Sequence, residues 1–360
     1  MKKLITISTV IVVVIISMFF MINSNVIEEN RKDMSLPEYI LSVHKILFHQ
    51  TLKSVIAVAD FGDSHGLVMF DGITWTTLLH IEDTYSYAHI FIDSNGVIYY
   101  SDQNPVKTYR STDLGNTWEV VTENIGVFWG LTDDKKGTHY ATLWAGNDPV
   151  VYNSIDNGVS WQVWKHMWDI FPEEKEFYGD QTTLSKMRHT HDIIALSDRV
   201  IIGTGDVTRW AIETRDNGET WKKIWDEGFT SHIYDSKKQN ILLFGDKGYR
   251  YGVAFYDINT PKAIDVWKPE DEDINWMSGS YIYSSVKIDN RYYAATHVEN
   301  NSPNDVTNYG ILASQDGKNW EPIYHYETTA SYTELYIAEG IYENTMFISH
   351  EGGLSQLDLK

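Results

Sequence analysis

Two histidines that lie close together in the sequence have a spacing that suits metal binding or proton transfer. In the segment Met187-Arg-His-Thr-His-Asp192, one residue separates His189 from His191, and residues i and i+2 of a β-strand point to the same side. Two imidazoles on one side of a strand suit a divalent metal or paired acid–base work. His189 and His191 are therefore candidate metal ligands. No cofactor other than a divalent metal is suggested.

Further polar residues that suit catalysis follow in the next part of the chain. If the segments carrying them are adjacent in space, His191, His232, Arg209, Tyr249 and Arg250 would converge. Such a group suits β-elimination on an acidic polysaccharide, because an arginine neutralises the uronate carboxylate and a histidine or tyrosine takes the neighbouring proton. These five residues are the candidate catalytic residues.

Four segments with one shared pattern determine where these residues would lie. They are Ser111-Thr-Asp113-Leu-Gly115-Asn-Thr117-Trp118, Ser154-Ile-Asp156-Asn-Gly158-Val-Ser160-Trp161, Thr214-Arg-Asp216-Asn-Gly218-Glu-Thr220-Trp221 and the shorter Ser314-Gln-Asp316-Gly317-Lys-Asn-Trp320. A fainter fifth is Asp71-Gly72-Ile-Thr74-Trp75. The pattern resembles the Asp-box, or BNR repeat, of sialidase-like β-propellers.

The repeated residues have a structural explanation. An aspartate can accept backbone N–H groups across a tight hairpin, and glycine supplies the positive φ that the hairpin needs. The tryptophan is expected to cap the interface between neighbouring sheets. We therefore assign structural roles, not catalytic ones, to Asp113, Asp156, Asp216, Asp316, Trp118, Trp161, Trp221 and Trp320.

The spacing of the repeats predicts an all-β propeller. Successive aspartates are 42, 43, 60 and 100 residues apart, and the last interval fits two blades; roughly 40–50 residues is typical of a four-stranded blade. Seven blades are predicted at 44–82, 86–123, 127–170, 188–227, 231–270, 280–327 and 332–360, and six remain an alternative. Residues 36–43 are expected to supply the last outer strand, and 169–186 interrupts the period as a candidate functional loop.

This register separates two faces of the disc. The Asp-box turns lie on one face, whereas the starts of the inner strands and the loops between second and third strands surround the funnel on the other. The alignment places candidate ligand-binding residues there, namely His89, Trp129, His189, Tyr281, His297 and Glu334, and it also places His65 and Asp102 on this face. Polar residues satisfied at the mouth of a water-filled channel are the alternative explanation.

The N-terminus carries a targeting signal. Lys2 and Lys3 precede an uncharged apolar run over 4–22, which predicts a signal peptide or membrane anchor over 1–23. Residues 24–35 are expected to be a polar linker and 36–360 the propeller. The body would then be secreted or held on the extracytoplasmic face of a membrane, most simply a bacterial one, with membrane contact only through this segment.

Composition excludes several classes of protein. No cysteine is present, so disulfides and thiolate catalysis are excluded. The net charge is −21, from 50 acidic against 29 basic residues, which makes nucleic acid a poor partner because binding it depends on Lys and Arg neutralising phosphates. Self-repulsion at this charge favours a monomer.

The resemblance implies the fold but not sialidase activity. Sialidases carry an Arg-Ile-Pro motif before the first repeat, and no arginine here precedes Ile-Pro. Since propellers host both binding and catalysis, three hypotheses stay open. The first is an extracytoplasmic glycan-directed surface protein that binds carbohydrate or another surface ligand in the funnel. The others are a carbohydrate-active enzyme, lyase or glycosidase, and a non-catalytic scaffold for assembly.

Overall fold

A computed structural model describes residues 31–84, 87–144, 149–172, 175–178, 182–185, 187–206, 208–245, 252–268, 280–299, 307–328, 332–333, 335–350 and 352–359. Across these ranges the chain forms seven consecutive antiparallel sheets with four strands each along the main path, and one separate two-stranded hairpin. The prediction of an all-β, seven-bladed propeller is therefore confirmed, and the six-bladed alternative is wrong.

The first three blades follow one another with short connections. The described chain begins with β1 (Arg31–Met34). Blade 1 contains β2 (Ser42–His49), β3 (Ser54–Asp60), β4 (His65–Phe70) and β5 (Trp75–Ile81). Blade 2 contains β6 (Ala88–Ile92), β7 (Ile98–Gln103), β8 (Val106–Ser111) and β9 (Glu119–Glu123). Blade 3 contains β10 (Val127–Asp133), β11 (His139–Trp144), β12 (Val150–Ser154) and β13 (Gln162–His166).

An insertion separates blades 3 and 4. It contains the single-turn helix α1 (Met167–Ile170) and the hairpin of β14 (Lys175–Tyr178) with β15 (Thr182–Ser185). Blade 4 contains β16 (Met187–Leu196), β17 (Arg199–Asp206), β18 (Ala211–Thr214) and β19 (Lys222–Trp225). Blade 5 contains β20 (Phe229–Asp235), β21 (Asn240–Gly245), β22 (Val253–Asp257) and β23 (Ile264–Trp267).

The last two blades complete the ring. Blade 6 contains β24 (Ser280–Ile288), β25 (Arg291–Glu299), β26 (Thr307–Ser314) and β27 (Glu321–Thr328), and β28 (Tyr332–Thr333) pairs with β25. Blade 7 contains β29 (Leu335–Glu339), β30 (Thr345–His350) and β31 (Gly353–Asp358), with β1 as its outer strand. Its inner strand β29 faces blade 1 across the point of closure, where Phe347 packs edge-on against Phe70 with ring centroids 6.0 Å apart.

The strand that closes the ring differs from the expected one. Residues 31–34 pair antiparallel with β31, so the prediction that 36–43 supply this strand is wrong, and four residues of the predicted linker belong to the fold. The contacts of the Arg31 guanidinium explain how this polar segment is held beside β31. Its Nη1 donates to Tyr324 Oη at 2.7 Å and to Tyr326 Oη at 3.2 Å, both in blade 6. The last blade thereby loses its unpaired edge.

The turns with the repeated pattern join third to fourth strands, and each is held by its own aspartate. Asp113 accepts the Thr117 backbone N–H at 2.8 Å and the Thr117 hydroxyl at 2.6 Å, and Gly115 has φ +91°. The Trp118 indole N–H donates to the Leu78 carbonyl of the preceding blade at 2.8 Å. The corresponding hydrogen bonds to Asp216, of which those from Thr220 have the largest effect, lower the pKa of Asp216 to about 2. Among the described residues, the contacts of these aspartates stabilise the turns, as expected for a structural role.

Polar side chains also join neighbouring blades. The Glu213 carboxylate of blade 4 is buried, pairs with Arg199 at 2.9 Å, and accepts the Tyr256 hydroxyl of blade 5 at 2.8 Å. Between blades 5 and 6, Asp235 binds Lys287 at 2.7 Å. Burial alone would raise the pKa of Asp235, but the Lys287 ammonium and the Tyr292 hydroxyl lower it to about 2.

Two candidates from the funnel face are also buried between blades. His65 Nε2 lies 2.6 Å from Asp102 Oδ2, with both side chains fully buried between blades 1 and 2. The two residues lie at the expected strand ends, but because their side chains are buried they offer no exposed group to the funnel. A histidine–carboxylate pair satisfies two polar groups where the strand ends approach each other closely.

No helix within the described residues is long and apolar enough to cross a membrane.

Candidate functional site

A cavity of about 280 Å³ lies on the axis of the disc, between the inner strands. All seven blades contribute to its wall. Its polar and aromatic lining residues include Lys45, Tyr87, His89, Trp129, Asp192, Ser231, His232, Tyr283, Ser285 and Tyr336. We call this cavity the funnel site.

β-Bulges place several of these residues in the wall. The pairing of an inner strand with its neighbour skips Lys45, Trp129, Asp192, Thr230 and Tyr283, in blades 1, 3, 4, 5 and 6 respectively. All five line the cavity. A bulge bends the strand and redirects the side chain of the unpaired residue. The same local irregularity, repeated around the ring, therefore supplies a large part of the funnel wall.

Trp129 is at the centre of an aromatic wall. Its ring centroid is 5.2 Å from that of His89, 5.7 Å from Tyr87, 5.6 Å from His191 and 5.8 Å from Tyr283. The indole is only half-buried. It thus offers a flat apolar surface that a ligand in the cavity can contact.

A cation lies beside this wall. The Lys45 ammonium contacts the His89 ring, and it lies 5.6 Å from the centroid of the Tyr336 ring. Burial first, and then the positive charge of Lys45, hold the pKa of His89 well below its ordinary value. His89 is therefore neutral at pH 7, and its ring nitrogen can accept a hydrogen bond from Lys45.

Asp192 and His232 are hydrogen-bonded to each other in the opposite part of the wall. His232 Nδ1 lies 2.5 Å from Asp192 Oδ2, and Asp192 Oδ1 accepts the Ile193 backbone N–H at 2.8 Å. The His232 side chain is 27% exposed. The bond fixes the imidazole and leaves Nε2 on the side of the ring away from Asp192. This is the arrangement by which a carboxylate orients a histidine for proton transfer.

The two histidines with the metal-like spacing stack on each other. The rings of His189 and His191 are 4.6 Å apart and inclined by 16°. Ring nitrogens bind metals in the plane of the ring, so stacked rings do not aim at one point. Among the residues that the structure describes, no group of three or more histidine, aspartate or glutamate side chains is placed to hold a metal ion. The sequence had suggested that these two histidines bind a metal, and their stacking does not support it.

The remaining predicted residues are dispersed or undescribed. Arg209 Nε lies 3.4 Å from Glu227 Oε2, and Arg209 is not part of the funnel wall. Tyr281 and His297 are paired across β24 and β25. The three predicted residues Tyr249, Arg250 and Glu334 lie outside the described residues. Of the candidate catalytic residues, the funnel wall includes His232, and His191 contacts the same wall through Trp129.

The sequence identified His89, Trp129 and His232 in the funnel wall but did not identify most of its polar and aromatic residues. Lys45, Tyr87, Asp192, Tyr283 and Tyr336 were not singled out. Tyr283 is two residues beyond the selected Tyr281, and Tyr336 is two beyond Glu334. Asp192 directly follows His191, so its place in the most suggestive segment was a usable signal.

The fold and the funnel site together define a seven-bladed β-propeller with a cavity on its axis. The chain is similar to YCF48 from Cyanidioschyzon merolae (14% identity, TM-score 0.56, covering 91% of this chain and 98% of that one); another YCF48 structure is bound to D1 peptide. It is similar to the GH74 xyloglucanase from Xanthomonas campestris (12% identity, TM-score 0.60, covering 92% of this chain and 54% of that one). It is also similar to the extracellular domain of a one-component system from B. thetaiotaomicron (13% identity, TM-score 0.59, covering 91% of this chain and 40% of that one).

At these identities the likeness shows the fold alone. No protein-family model matches the chain, and no curated protein matches it.

Proposed function

We propose that the protein is an extracytoplasmic glycan-directed surface protein that binds carbohydrate in the funnel site. The observation that carries this proposal is Trp129, a half-buried indole at the centre of an aromatic wall and beside polar groups. Pyranose rings present apolar C–H faces to aromatic rings and hydroxyl groups to donors and acceptors. Lys45, the Asp192–His232 pair and the Ser231 hydroxyl supply those polar partners around the same cavity.

The proposed class and location have separate support. The turns around Asp113, Asp156, Asp216 and Asp316 have the hydrogen bonds expected of Asp-boxes, which favours a sialidase-like propeller without the sialidase arginine motif. The basic and apolar N-terminal segment favours export as a secreted or anchored protein, and one structural neighbour is an extracellular domain. A monomer fits the strong negative charge.

Isothermal titration with a panel of neutral and acidic oligosaccharides tests the proposal. Trp129→Ala removes the stacking surface, and we expect it to weaken binding about tenfold, since roughly 1.4 kcal/mol corresponds to a factor of ten. Trp75→Ala, which removes a half-buried indole of blade 1 outside the funnel wall, is the matched control. The proposal fails if no oligosaccharide binds at millimolar concentration or if Trp129→Ala leaves affinity unchanged. Binding of peptides without any glycan would instead favour the scaffold hypothesis.

The Asp192–His232 pair favours a second candidate, a lyase that acts on uronate polymers. His232 Nε2 would take the proton from C5 of the uronate, whose carboxylate would face Lys45. The electron pair of the C5–H bond then forms the C4–C5 double bond, and the bond from C4 to the leaving oxygen breaks. That oxygen leaves with a proton from water.

Ultraviolet absorbance of the unsaturated product separates this candidate from simple binding. With an active polymer, we expect Asp192→Asn to lower kcat by roughly 10²–10⁴-fold, the usual contribution of general base catalysis, with little change in affinity. No absorbance rise with any uronate polymer would remove the lyase and leave the binding proposal intact.

A further inference from the structure

A second cavity lies on the rim of the disc, away from the funnel. Its volume is about 540 Å³, within the range of roughly 300–1,000 Å³ that is common for small-molecule sites. It lies between the outer strand of blade 3 and the patterned turn of blade 4. The wall includes Trp164, Lys165, His166, Asp169, Phe171, Glu219 and Trp221. We call it the rim site.

The repeat register shows that blade 3 is unusual at this place. Three residues after the tryptophan of the turn, the other patterned blades have aliphatic side chains, namely Leu78, Val121, Ile224 and Ile323. Blade 3 has Trp164 at the same position. An aliphatic residue is enough to fill the contact between neighbouring blades, as Leu78 does beneath Gly115, where an added Cβ would lie 3.1 Å from Leu78 Cδ1. Trp164 also packs beneath the patterned turn of blade 4, where a Cβ added at Gly218 would lie 3.0 Å from Trp164 Cζ2, but its indole is much larger than this contact requires and is only half-buried.

The two indoles of the rim site form a corner. The rings of Trp164 and Trp221 are 5.6 Å apart and inclined by 60°, and both are half-buried. Trp164 is supported from behind by the Tyr140 ring at 4.8 Å, which fixes its orientation. A flat ligand can lie against one exposed indole face while its edge meets the other.

The polar side chains around this corner define the class of ligand. Asp169 and Glu219 are exposed, and with Lys165 and His166 they offer both acceptors and donors in one cavity. The carboxylates are at least as many as the cations, and the whole chain carries a net charge of −21. An anionic ligand would be repelled. A ligand that is uncharged, flat and apolar on one face, and rich in hydroxyl groups fits this wall.

The geometry points to the rim site as a second carbohydrate-binding site, specific for neutral oligosaccharides, in which a pyranose ring stacks on Trp164. This site is independent of the funnel site, because it shares no residue with the funnel wall. A protein with two sites on different surfaces can engage two points of one polysaccharide, and the second contact raises the apparent affinity when the chain spans both sites.

Titration of neutral hexasaccharides of glucose, mannose and xylose into the Trp129→Ala variant tests the inference. In this background we expect one remaining site, and Trp164→Ala should weaken it at least tenfold. Because Trp164→Ala also removes a packed ring, Asp169→Asn and Glu219→Gln provide a second test with exposed side chains. Each should weaken the same binding about threefold to tenfold. Glu343→Gln, an exposed glutamate on blade 7, is the matched control and should change nothing.

The outcomes distinguish the two sites. Loss of binding in Trp164→Ala and in Glu219→Gln, with Trp129→Ala unaffected, supports the rim site even if the funnel proposal fails. If Trp129→Ala abolishes all binding of neutral oligosaccharides, the rim site is refuted while the funnel proposal stands. Tighter binding of acidic than of neutral oligosaccharides by the Trp129→Ala variant also overturns the inference.

Discussion

Gly205 in β17 lies directly beneath the His191 ring, and this contact makes one substitution informative. A Cβ added at Gly205 would lie 1.9 Å from His191 Nε2 and 2.5 Å from its Cδ2. His191 is only 2% exposed, so the ring has little room to move. Gly205→Ala must therefore displace His191, and with it the contact between His191 and Trp129.

The size of the effect follows from the cost of overpacking. Forcing a methyl group into a well-packed interior costs roughly 1–3 kcal/mol. We expect Gly205→Ala to lower the free energy of unfolding by about 2 kcal/mol, even though a smaller entropy in the unfolded chain works in its favour. Ligand binding in the funnel site should weaken as well, because the aromatic wall moves.

Urea unfolding followed by tryptophan fluorescence measures this effect. Gly353→Ala is the control, since its nearest contact would be the His350 carbonyl at an ordinary 3.4 Å, and it should change the free energy of unfolding by less than about 0.5 kcal/mol. In a His191→Ala background the clash is absent, so Gly205→Ala should cost little there. The reasoning is refuted if Gly205→Ala is as mild as Gly353→Ala, or if its cost is the same in both backgrounds.

Three further substitutions test the contacts between blades. Glu213→Gln removes the buried one of the two carboxylates that pair with Arg199, the other being Asp198 at 2.7 Å. It should lower the free energy of unfolding by about 2 kcal/mol, measured by urea titration, and a loss below about 0.5 kcal/mol would contradict the pairing. Asp235→Asn should destabilise the protein above about pH 4, where the wild-type carboxylate is ionised, and the difference from wild type should shrink as the pH falls towards 2; a difference independent of pH would refute it. Arg31→Ala should lower the free energy of unfolding by roughly 1–2 kcal/mol, because the contacts with two tyrosines are lost. Lys32→Ala, a change at the exposed neighbouring residue, should leave this free energy nearly unchanged. Equal losses in the two variants would show that the closing strand is held by its backbone alone.

The blades were predictable because their signals recur. The intervals from Asp71 to Asp113 and from Asp113 to Asp156 are nearly equal, and each turn requires the same aspartate, glycine and tryptophan. A weak pattern that recurs in register is strong evidence for a repeat architecture. Predicted blade boundaries were therefore within a few residues of the observed strands.

The closing strand was not predictable from the same signals. Residues 31–34 read Arg-Lys-Asp-Met, which has neither the alternation nor the β-branched residues of a strand. Its pairing depends on backbone hydrogen bonds to β31 and on Arg31 reaching two tyrosines almost 300 residues later in the chain. Contacts of that range leave no trace in the local sequence.

The funnel residues were predictable only where the inner strand is regular or the repeat alignment is strong. His89 was found because β6 pairs with β7 without interruption. Tyr283 was missed because it is itself the unpaired residue of a bulge, and a bulge changes which residues face the axis. Whether a strand contains a bulge depends on its pairing with the neighbouring strand, and the period-2 pattern of a single strand does not reveal it.

The same comparison indicates where function should be sought in a repeat protein. The aspartates that recur in five of the seven blades, such as Asp113 and Asp156, have the same structural role in each of them, which is to close a turn against the neighbouring blade. Residues at equivalent positions that differ between blades solve no shared structural problem. Lys45 and Trp129, at bulges of two inner strands, and Trp164, in place of an aliphatic residue on one outer strand, are of this second kind. Because seven similar blades specify the fold with redundancy, single departures of this sort are tolerated and can be used to bind a ligand.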